Sequence, residues 1–349
     1  MALAAMLSTA PAQATPKDGH GLVVMTQNVY LGSSLAPALT AATPEGFVGA
    51  VAQIYATVQY TNFPARAEAI ADEIAAHGPD VVGLQEVSTW TTEGLYPPPG
   101  YDFLDILQSA LDARGLSYSV AAVSDNADIG PAPLVSETCP VLDDSQFTCS
   151  VRLQDRDVIL VNDDTPRLTW TNARSGRYAD QQTFDSPVGP LAFDRGWASI
   201  DARLGGKPFR FVNTHLETED FQLIQQAQAA EFLAGPAKGG TVIAVGDFNS
   251  AADGSNTTSY AQLTAPGRFR DAWDEDLVGP GFSCCQASDT PPLAPGALNN
   301  PVSTLRSRID LILSRGGARA DGATATLVGD TPFQAAPPFW PSDHAGVVV

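Results

Sequence analysis

The chain is poor in positive charge. Against 39 Asp and Glu there are only 19 Lys and Arg, a formal net charge of -20. A broad basic face that tracks nucleic acid by counterion release is therefore excluded. A phosphate-bearing substrate is not excluded, because a bound divalent cation can supply the local positive charge. No apolar run is long enough to span a bilayer. Cysteine is scarce, at four, and none of the four has zinc-site spacing. Histidine is equally scarce, so each one is worth placing. There is no internal repeat. No Pro/Ser/Gly-rich linker divides the 349 residues into halves that could stand alone.

What is present is a large apolar fraction, 44%, enough for a sizeable core. The opening "MALAAMLSTAPAQATP" is Ala-rich and apolar and leads to a small-x-small "AQA" ending at Ala14, the pattern of a secretory cleavage site. Its positively charged start is missing. Residues 1–19 read as a signal-peptide remnant with a disordered start, and 20–349 as one domain exported to an extracellular setting. The even cysteine count fits an oxidising compartment. Cys139 and Cys149 flank a short loop they could close. Cys284 and Cys285 are adjacent, and either a vicinal bridge or separate partners would satisfy them.

Buried strands are expected at "LVVMTQN", "DVVGLQE", "RDVILVN", "TVIAVGDFN", "SRIDLILSR" and "HAGVVV". A hairpin is expected in "GWASIDARLGGKPFRFVNTHLE", turning at Gly205-Gly206. Helices are expected at "PARAEAIADEIAAHGPD", between Pro64 and the Gly78-Pro79 stop, at "YDFLDILQSALDARG" and at "EDFQLIQQAQAAEFLAG". The order is βα, βα, a run of β, αβ, and β again. It suits an α/β chain with two mixed β-sheets packed face to face and helices on the outer faces.

Polar residues recur where these strands end: Asn28, Glu86, Asn213 with His215, Asp247 with Asn249, Asp310, and Asp343 with His344. Strand ends feeding loops are where α/β sheets place their chemistry. Each taken alone has a plainer reading as a turn or cap residue. His20 and His77 keep that plainer reading.

The set as a whole resembles the endonuclease/exonuclease/phosphatase superfamily of metal-dependent phosphoesterases. The pieces are "TQN" at 26–28, "LQEV" at 84–87, "NTHL" at 213–216, "GDFN" at 246–249, "RID" at 308–310 and "SDH" at 342–344. They stand in the family's order across nearly the whole chain. The resemblance implies a four-layer α/β sandwich and metal-assisted in-line attack of water on a phosphoester, a diester rather than a monoester. It implies metal ligation by Glu86, Asn28 and Asp343, with Mg²⁺ as the cation and Mn²⁺ or Ca²⁺ as substitutes. Asp247 would orient or deprotonate water, and Asn249 would reach the same phosphate from the same side of an extended segment. Asp310 would fix the tautomer of His344, and the choice of general base between Asp247 and His344 stays open. His215 and Asn213 would contact phosphoryl oxygens. The carboxylate that pairs with His215 in nuclease members has no clear position here; Asp157 and Asp194 are the candidates. Arg66, Arg174, Arg177 and Arg195 are candidate phosphate contacts whose plainer role is solvation or ion pairing.

The implied substrate is nucleic acid or a phospholipid head group, including sphingomyelin, and the implied state is a monomer. Acidity weakens the first substrate, and the lack of an apolar membrane hairpin weakens the second. "YPPPGYDF" and "PPFWP" offer only aromatics suited to packing. The competing class is a non-catalytic binding protein on the same fold. It would be marked by a lost ligand or histidine, and none is missing.

Overall fold

The computed structural model describes residues 21–142, 146–273, 278–286, 296–318 and 323–349. The expected leader, with Ala14 and His20, lies outside the described residues.

In chain order the strands begin with β1 (Val24–Asn28), β2 (Val81–Gln85), β3 (Thr89–Gly94), β4 (Tyr101–Asp102), β5 (Tyr118–Leu134) and β6 (Cys149–Asn162). They continue with β7 (Leu168–Arg177), β8 (Gln182–Phe184), β9 (Leu191–Phe193), β10 (Gly196–Leu204), β11 (Lys207–His215) and β12 (Val242–Asp247). The last are β13 (Arg270–Asp271), β14 (Asp310–Arg315), β15 (Thr326–Val328), β16 (Gln334–Ala335), β17 (Pro338–Phe339) and β18 (Gly346–Val348). Helices are α1 (Ala36–Leu39), α2 (Pro44–Tyr60), α3 (Phe63–His77), α4 (Phe103–Ala113), α5 (Gln222–Ala234) and α6 (Ser259–Thr264).

One sheet runs β15-β18-β1-β2-β6-β3-β4, with β5 on β6; the other runs β13-β14-β12-β11-β10-β7. Both are mixed. β1–β2 and β11–β12 are parallel, while β2–β6 and β12–β14 are antiparallel. Side chains alternate across each strand, so the sheets divide their residues between two cores. Val24, Val81, Ile159, Phe211, Ile243, Val245 and Ile312 fill the space between the sheets. Met25, Val82, Leu84 and Leu160 face outward under α2, α3 and α4, against Ile54, Ile70 and Leu107. Val212, Val242 and Ala244 face outward under α5 and α6, against Phe232 and Leu263. Four layers result, as the sequence order implies.

The expected helices form. α3 has Pro at its start and stops at Gly78, whose φ of 52° needs a residue without a Cβ. α4 is capped by Asp102, whose side chain accepts from the Leu104 and Asp105 amides. α2, the longest helix, is not among the expected ones. It opens on a Thr43 cap with Pro44 and buries Phe47, Val51, Ile54, Tyr55 and Val58.

Of the cysteines, Cys139 and Cys149 close their loop as a disulfide with Cα atoms 5.6 Å apart, and Cys284 bonds Cys285. Among the described residues no helix is long and apolar enough to cross a membrane. Trp340 of "PPFWP" is buried against Tyr30 and Leu298 and donates to the Asn300 carbonyl. It is a packing residue.

Candidate active site

Following the inter-sheet face of each strand toward one end of the sandwich explains the site. β1 reads Val24, Thr26, Asn28; β11 reads Phe211, Asn213, His215; β12 reads Ile243, Val245, Asp247. Apolar Val24, Phe211 and Ile243 seal the bottom, Thr26, Asn213 and Val245 lie at mid-height, and Asn28, His215 and Asp247 reach the rim. Register aligns these levels. Asn28 pairs Gln85, His215 pairs Asp247, and Asp247 pairs Asp310.

At mid-height the sheets are stapled. Asn213 is fully buried; its amide donates to the Leu84 and Val158 carbonyls of the opposite sheet at 2.8 and 3.0 Å and accepts from Gln85 Nε2 at 2.6 Å. Gly83 makes room for it, since a Cβ there would lie 2.8 Å from Asn213 Oδ1. The expected phosphate contact by Asn213 is corrected: its hydrogen bonds are spent on holding the sheets together, one pleat below the rim.

At the rim, Asp310 Oδ2 lies 2.8 Å from His344 Nδ1. His344 Nε2 lies 3.7 Å from Asp247 Oδ2, and His215 Nε2 lies 3.4 Å from that same oxygen. Asp247 Oδ1 accepts the Asn249 amide at 2.9 Å. Asn249 therefore stands in an Asx turn with φ 48°, beyond the strand end, and not on an extended segment as expected. Its Nδ2 is 3.1 Å from His215 Nε2 and donates to the Leu216 carbonyl at 3.0 Å.

Glu86 follows β2 with φ 58°. Its Oε2 accepts from the Leu31 amide at 2.8 Å, and its Oε1 from Asn28 Nδ2 at 3.1 Å. Asn28 Nδ2 also lies 3.2 Å from Asp247 Oδ2, and Asn28 Oδ1 accepts from the Tyr30 amide at 2.9 Å. Asn28 thus stands between two carboxylates, its Nδ2 bridging Glu86 and Asp247 and its Oδ1 on the Tyr30 amide, beside the expected metal ligand Glu86. Ser342 Oγ donates to the Asn28 carbonyl at 2.6 Å, tying the "SDH" segment to β1. Asp343, the next residue, adds a carboxylate that repels Glu86 and Asp247.

The electrostatics separate the two histidines. Burial works against a charge on His344, but Asp310, Asp247 and Asp343 outweigh it and hold the imidazole protonated well above the usual range. Burial lowers His215, and the Arg195 and His344 cations lower it further, so it stays neutral. Burial, reinforced by Asp310, lifts Asp247 to about 7 against the pull of His344. Burial also lifts Asp343 to about 7, with Glu86 and Asp247 adding to it.

Arg195 is the main residue the sequence reading undervalues. Its Nη1 is 3.1 Å from both ring nitrogens of His215, its Nη2 is 3.6 Å from Glu217 Oε1, and it stacks on Phe193. Neither candidate carboxylate partners His215. Asp194 pairs with Arg177 at 2.7 Å. Asp157 is buried beside Asn126 and Asp155, and a cation, Arg195, stands beside His215 where a carboxylate was expected. Glu217 and Asp155, both buried, face that cation. Nothing local marks them; their partner is distant in sequence. Arg66 is fully buried and donates to the Val29, Tyr30, Thr61 and Pro341 carbonyls, so it is scaffold. Arg174 is exposed on β7.

The donor set suits a divalent cation. Glu86, Asp247 and Asp343 are hard oxygen donors, two of them pushed up to about 7 by burial and mutual repulsion. Asp343 is repelled by both Glu86 and Asp247, and a hard cation among the three relieves that repulsion, so the residues fit one.

A carboxylate pocket suited to a hard cation, flanked by one charged and one neutral imidazole at the mouth of a two-sheet sandwich, is the arrangement of a metal-dependent phosphoester hydrolase. The chain matches the Endonuclease/Exonuclease/phosphatase family over residues 25–344, and it belongs to that family. Solved structures share the fold. A humanized D. rerio TDP2 carrying 14 mutations aligns at 16% identity, TM-score 0.52, over 94% of this chain and 97% of its own. An endonuclease/exonuclease/phosphatase family protein from Bacteroides thetaiotaomicron aligns at 15% identity, TM-score 0.53, over 94% and 93%. A mannosyl-6-phosphatase from the same organism aligns at 16% identity, TM-score 0.50, over 94% and 98%. No curated protein sequence matches the chain.

Proposed function

We propose that this chain is an exported, monomeric, Mg²⁺-dependent phosphodiesterase, acting on a single-stranded nucleic acid or a phospholipid head group. The observation that carries the reading is the rim geometry: His344 Nδ1 is 2.8 Å from Asp310 and its Nε2 is 3.7 Å from Asp247, beside the Glu86 and Asp343 carboxylates. Neighbouring groups with their pKa values pushed apart are how one site runs acid and base chemistry together.

In this reading Asp247 accepts the proton of the attacking water, because His344 is already protonated and cannot. His344, its Nδ1–H fixed on Asp310, presents Nε2–H to the phosphoryl group and stabilises the charge that develops there. His215 accepts the Asn249 amide at Nε2 and stays neutral beside Arg195. Arg195 supplies a fixed positive charge behind it. Glu86 and Asp343 would hold the cation, with Asp247 beside them. A bound Mg²⁺ supplies charge neutralisation on the phosphate and keeps waters of its own. Asn28 aligns the Glu86 and Asp247 carboxylates. A single strand suits the net charge of -20 better than a duplex. Support for a nucleic-acid substrate comes from a D. rerio TDP2 solved with a single-strand DNA product, which shares the fold at 16% identity, TM-score 0.50, over 94% of this chain and 97% of its own.

The test is a substrate panel with Mg²⁺: bis-p-nitrophenyl phosphate, p-nitrophenyl phosphate, a single-stranded oligonucleotide and sphingomyelin vesicles. The diester is expected to turn over faster than the monoester. A preference for the monoester would overturn the diester assignment.

A further inference from the structure

The adjacent cysteines lie against the candidate active site. Cys285 is half-buried, and its Sγ is 3.8 Å from His344 Nε2, the nitrogen that faces Asp247. The backbone fixes this placement from both sides. Residues 283–286 run antiparallel to 343–345, with the Ala345 amide donating to the Ser283 carbonyl at 2.8 Å and the Gln286 amide to the Asp343 carbonyl at 2.7 Å. On the other flank the Cys284 amide donates to the Ser307 carbonyl at 2.9 Å, and Thr304 Oγ1 donates to the Cys285 carbonyl at 2.8 Å. These bonds do not involve the sulfurs, so they hold the pair beside His344 whether or not it is bonded.

Cys284, Cys285 and His344 place three ligand atoms within 4.8 Å of one another. Two thiolates and an imidazole are donors for a borderline-soft ion, unlike the oxygen donors of the pocket next to them. Bond lengths of about 2.3 Å to sulfur and about 2.0 Å to nitrogen, at a tetrahedral angle, put two such ligands about 3.5 Å apart on one Zn²⁺. The observed 3.8 Å between Cys285 Sγ and His344 Nε2 matches that span.

We propose that, when the Cys284–Cys285 bond is reduced, the two sulfurs and His344 form a Zn²⁺ site that withdraws His344 from the reaction. The inference rests on the catalytic reading of His344. A dithiol reductant transfers two electrons and two protons to the Cys284–Cys285 bond and closes to its own disulfide. The two thiols and the Nε2–H of His344 then release their protons to solvent as Zn²⁺ binds, while Nδ1–H stays on Asp310. With Nε2 on zinc, His344 has no proton to present to a phosphoryl oxygen. Reclosing the bridge by exchange with a small disulfide returns the electrons to that partner and expels the ion. The enzyme would thus be latent where thiols stay reduced and active where disulfides form.

The experiment uses the full chain, reduced with a dithiol and titrated anaerobically with Co²⁺ as a spectroscopic stand-in for Zn²⁺. One equivalent is expected to give thiolate-to-cobalt charge-transfer absorption. The band should be lost in Cys284→Ser/Cys285→Ser, be roughly halved in Cys285→Ser, and persist in Cys139→Ser/Cys149→Ser. The cobalt d–d bands should shift in His344→Ala. Hydrolysis by the reduced, Zn²⁺-loaded chain should fall to the His344→Ala level and recover on reoxidation. The single Cys285→Ser variant keeps the assignment testable if a double variant fails to fold. No band, a band that survives in Cys284→Ser/Cys285→Ser, or unchanged hydrolysis with zinc bound would overturn the proposal. If the oxidised chain hydrolyses no phosphoester, the functional reading fails, and the cobalt spectrum still decides the site.

Discussion

Replacing Asp310 by Asn tests the electrostatic division of labour at the rim. The amide introduced by Asp310→Asn would keep an oxygen for His344 Nδ1–H, so the 2.8 Å contact survives in shape but loses its charge. A hydrogen bond to a charged group contributes about 1.5–3 kcal/mol against about 0.5–1.5 for a neutral one. The difference, roughly 1–2 kcal/mol, corresponds to a loss in kcat of about 5- to 30-fold. Two further signatures follow from sign. Asp310 holds His344 protonated, so without it the imidazole loses its proton at lower pH. The limb on which activity falls as pH rises should therefore move down. Asp310 also helps to raise Asp247, so its removal lowers the Asp247 pKa and should tighten Mg²⁺ binding. The assay is the pH dependence of kcat with bis-p-nitrophenyl phosphate, with Mg²⁺ titrated at each pH. A kcat within about threefold of the parent and an unmoved alkaline limb would refute the reasoning, because a merely structural Asp310 predicts neither shift.

The other predictions concern parts of the site with different roles. Asn213→Ala should lower stability by about 1–3 kcal/mol through its lost inter-sheet bonds, read as a drop in Tm, while kcat of the folded protein is unchanged. A large loss of kcat would restore Asn213 as a substrate contact. Arg195→Met should destabilise by about 3–5 kcal/mol by leaving Glu217 and Asp155 without their cation, and should raise the His215 pKa, measured by NMR titration of the ring. An unmoved His215 resonance would remove Arg195 as the cause of its neutrality. Mg²⁺ affinity should rise with pH up to about 7 and then level, by roughly tenfold per pH unit for each proton displaced from Asp247 and Asp343. Calorimetry across that range checks it, and a flat profile would contradict the raised carboxylates.

The sequence made the rim legible because period-2 alternation sends the end residues of the buried strands into the gap between the sheets. Asn28, His215 and Asp247 close β1, β11 and β12, and Asp310 opens the antiparallel β14 opposite Asp247. Depth was not legible. Asn213 and His215 are both polar and on the same face, and only the distance to the opposite sheet separates a staple from a rim group. Arg66 looks like an ordinary helix residue in sequence, yet its guanidinium donates to backbone carbonyls of three separate segments. Arg195, Glu217 and Asp155 meet only in the folded chain, so no local pattern announces them. Helix α2 keeps helical spacing, with Phe47, Ala50, Val51, Ile54, Tyr55 and Val58 buried, but Gly46, Gly49 and several β-branched residues lower its helix propensity.

The most direct test of the account is turnover of bis-p-nitrophenyl phosphate by the oxidised full chain in Mg²⁺, in EDTA, and by Asp247→Asn in Mg²⁺. The account predicts release of p-nitrophenol with Mg²⁺ alone, and none with EDTA or with the variant. A folded, Mg²⁺-loaded chain that releases nothing, or an Asp247→Asn protein that turns over at the parent rate, would contradict it.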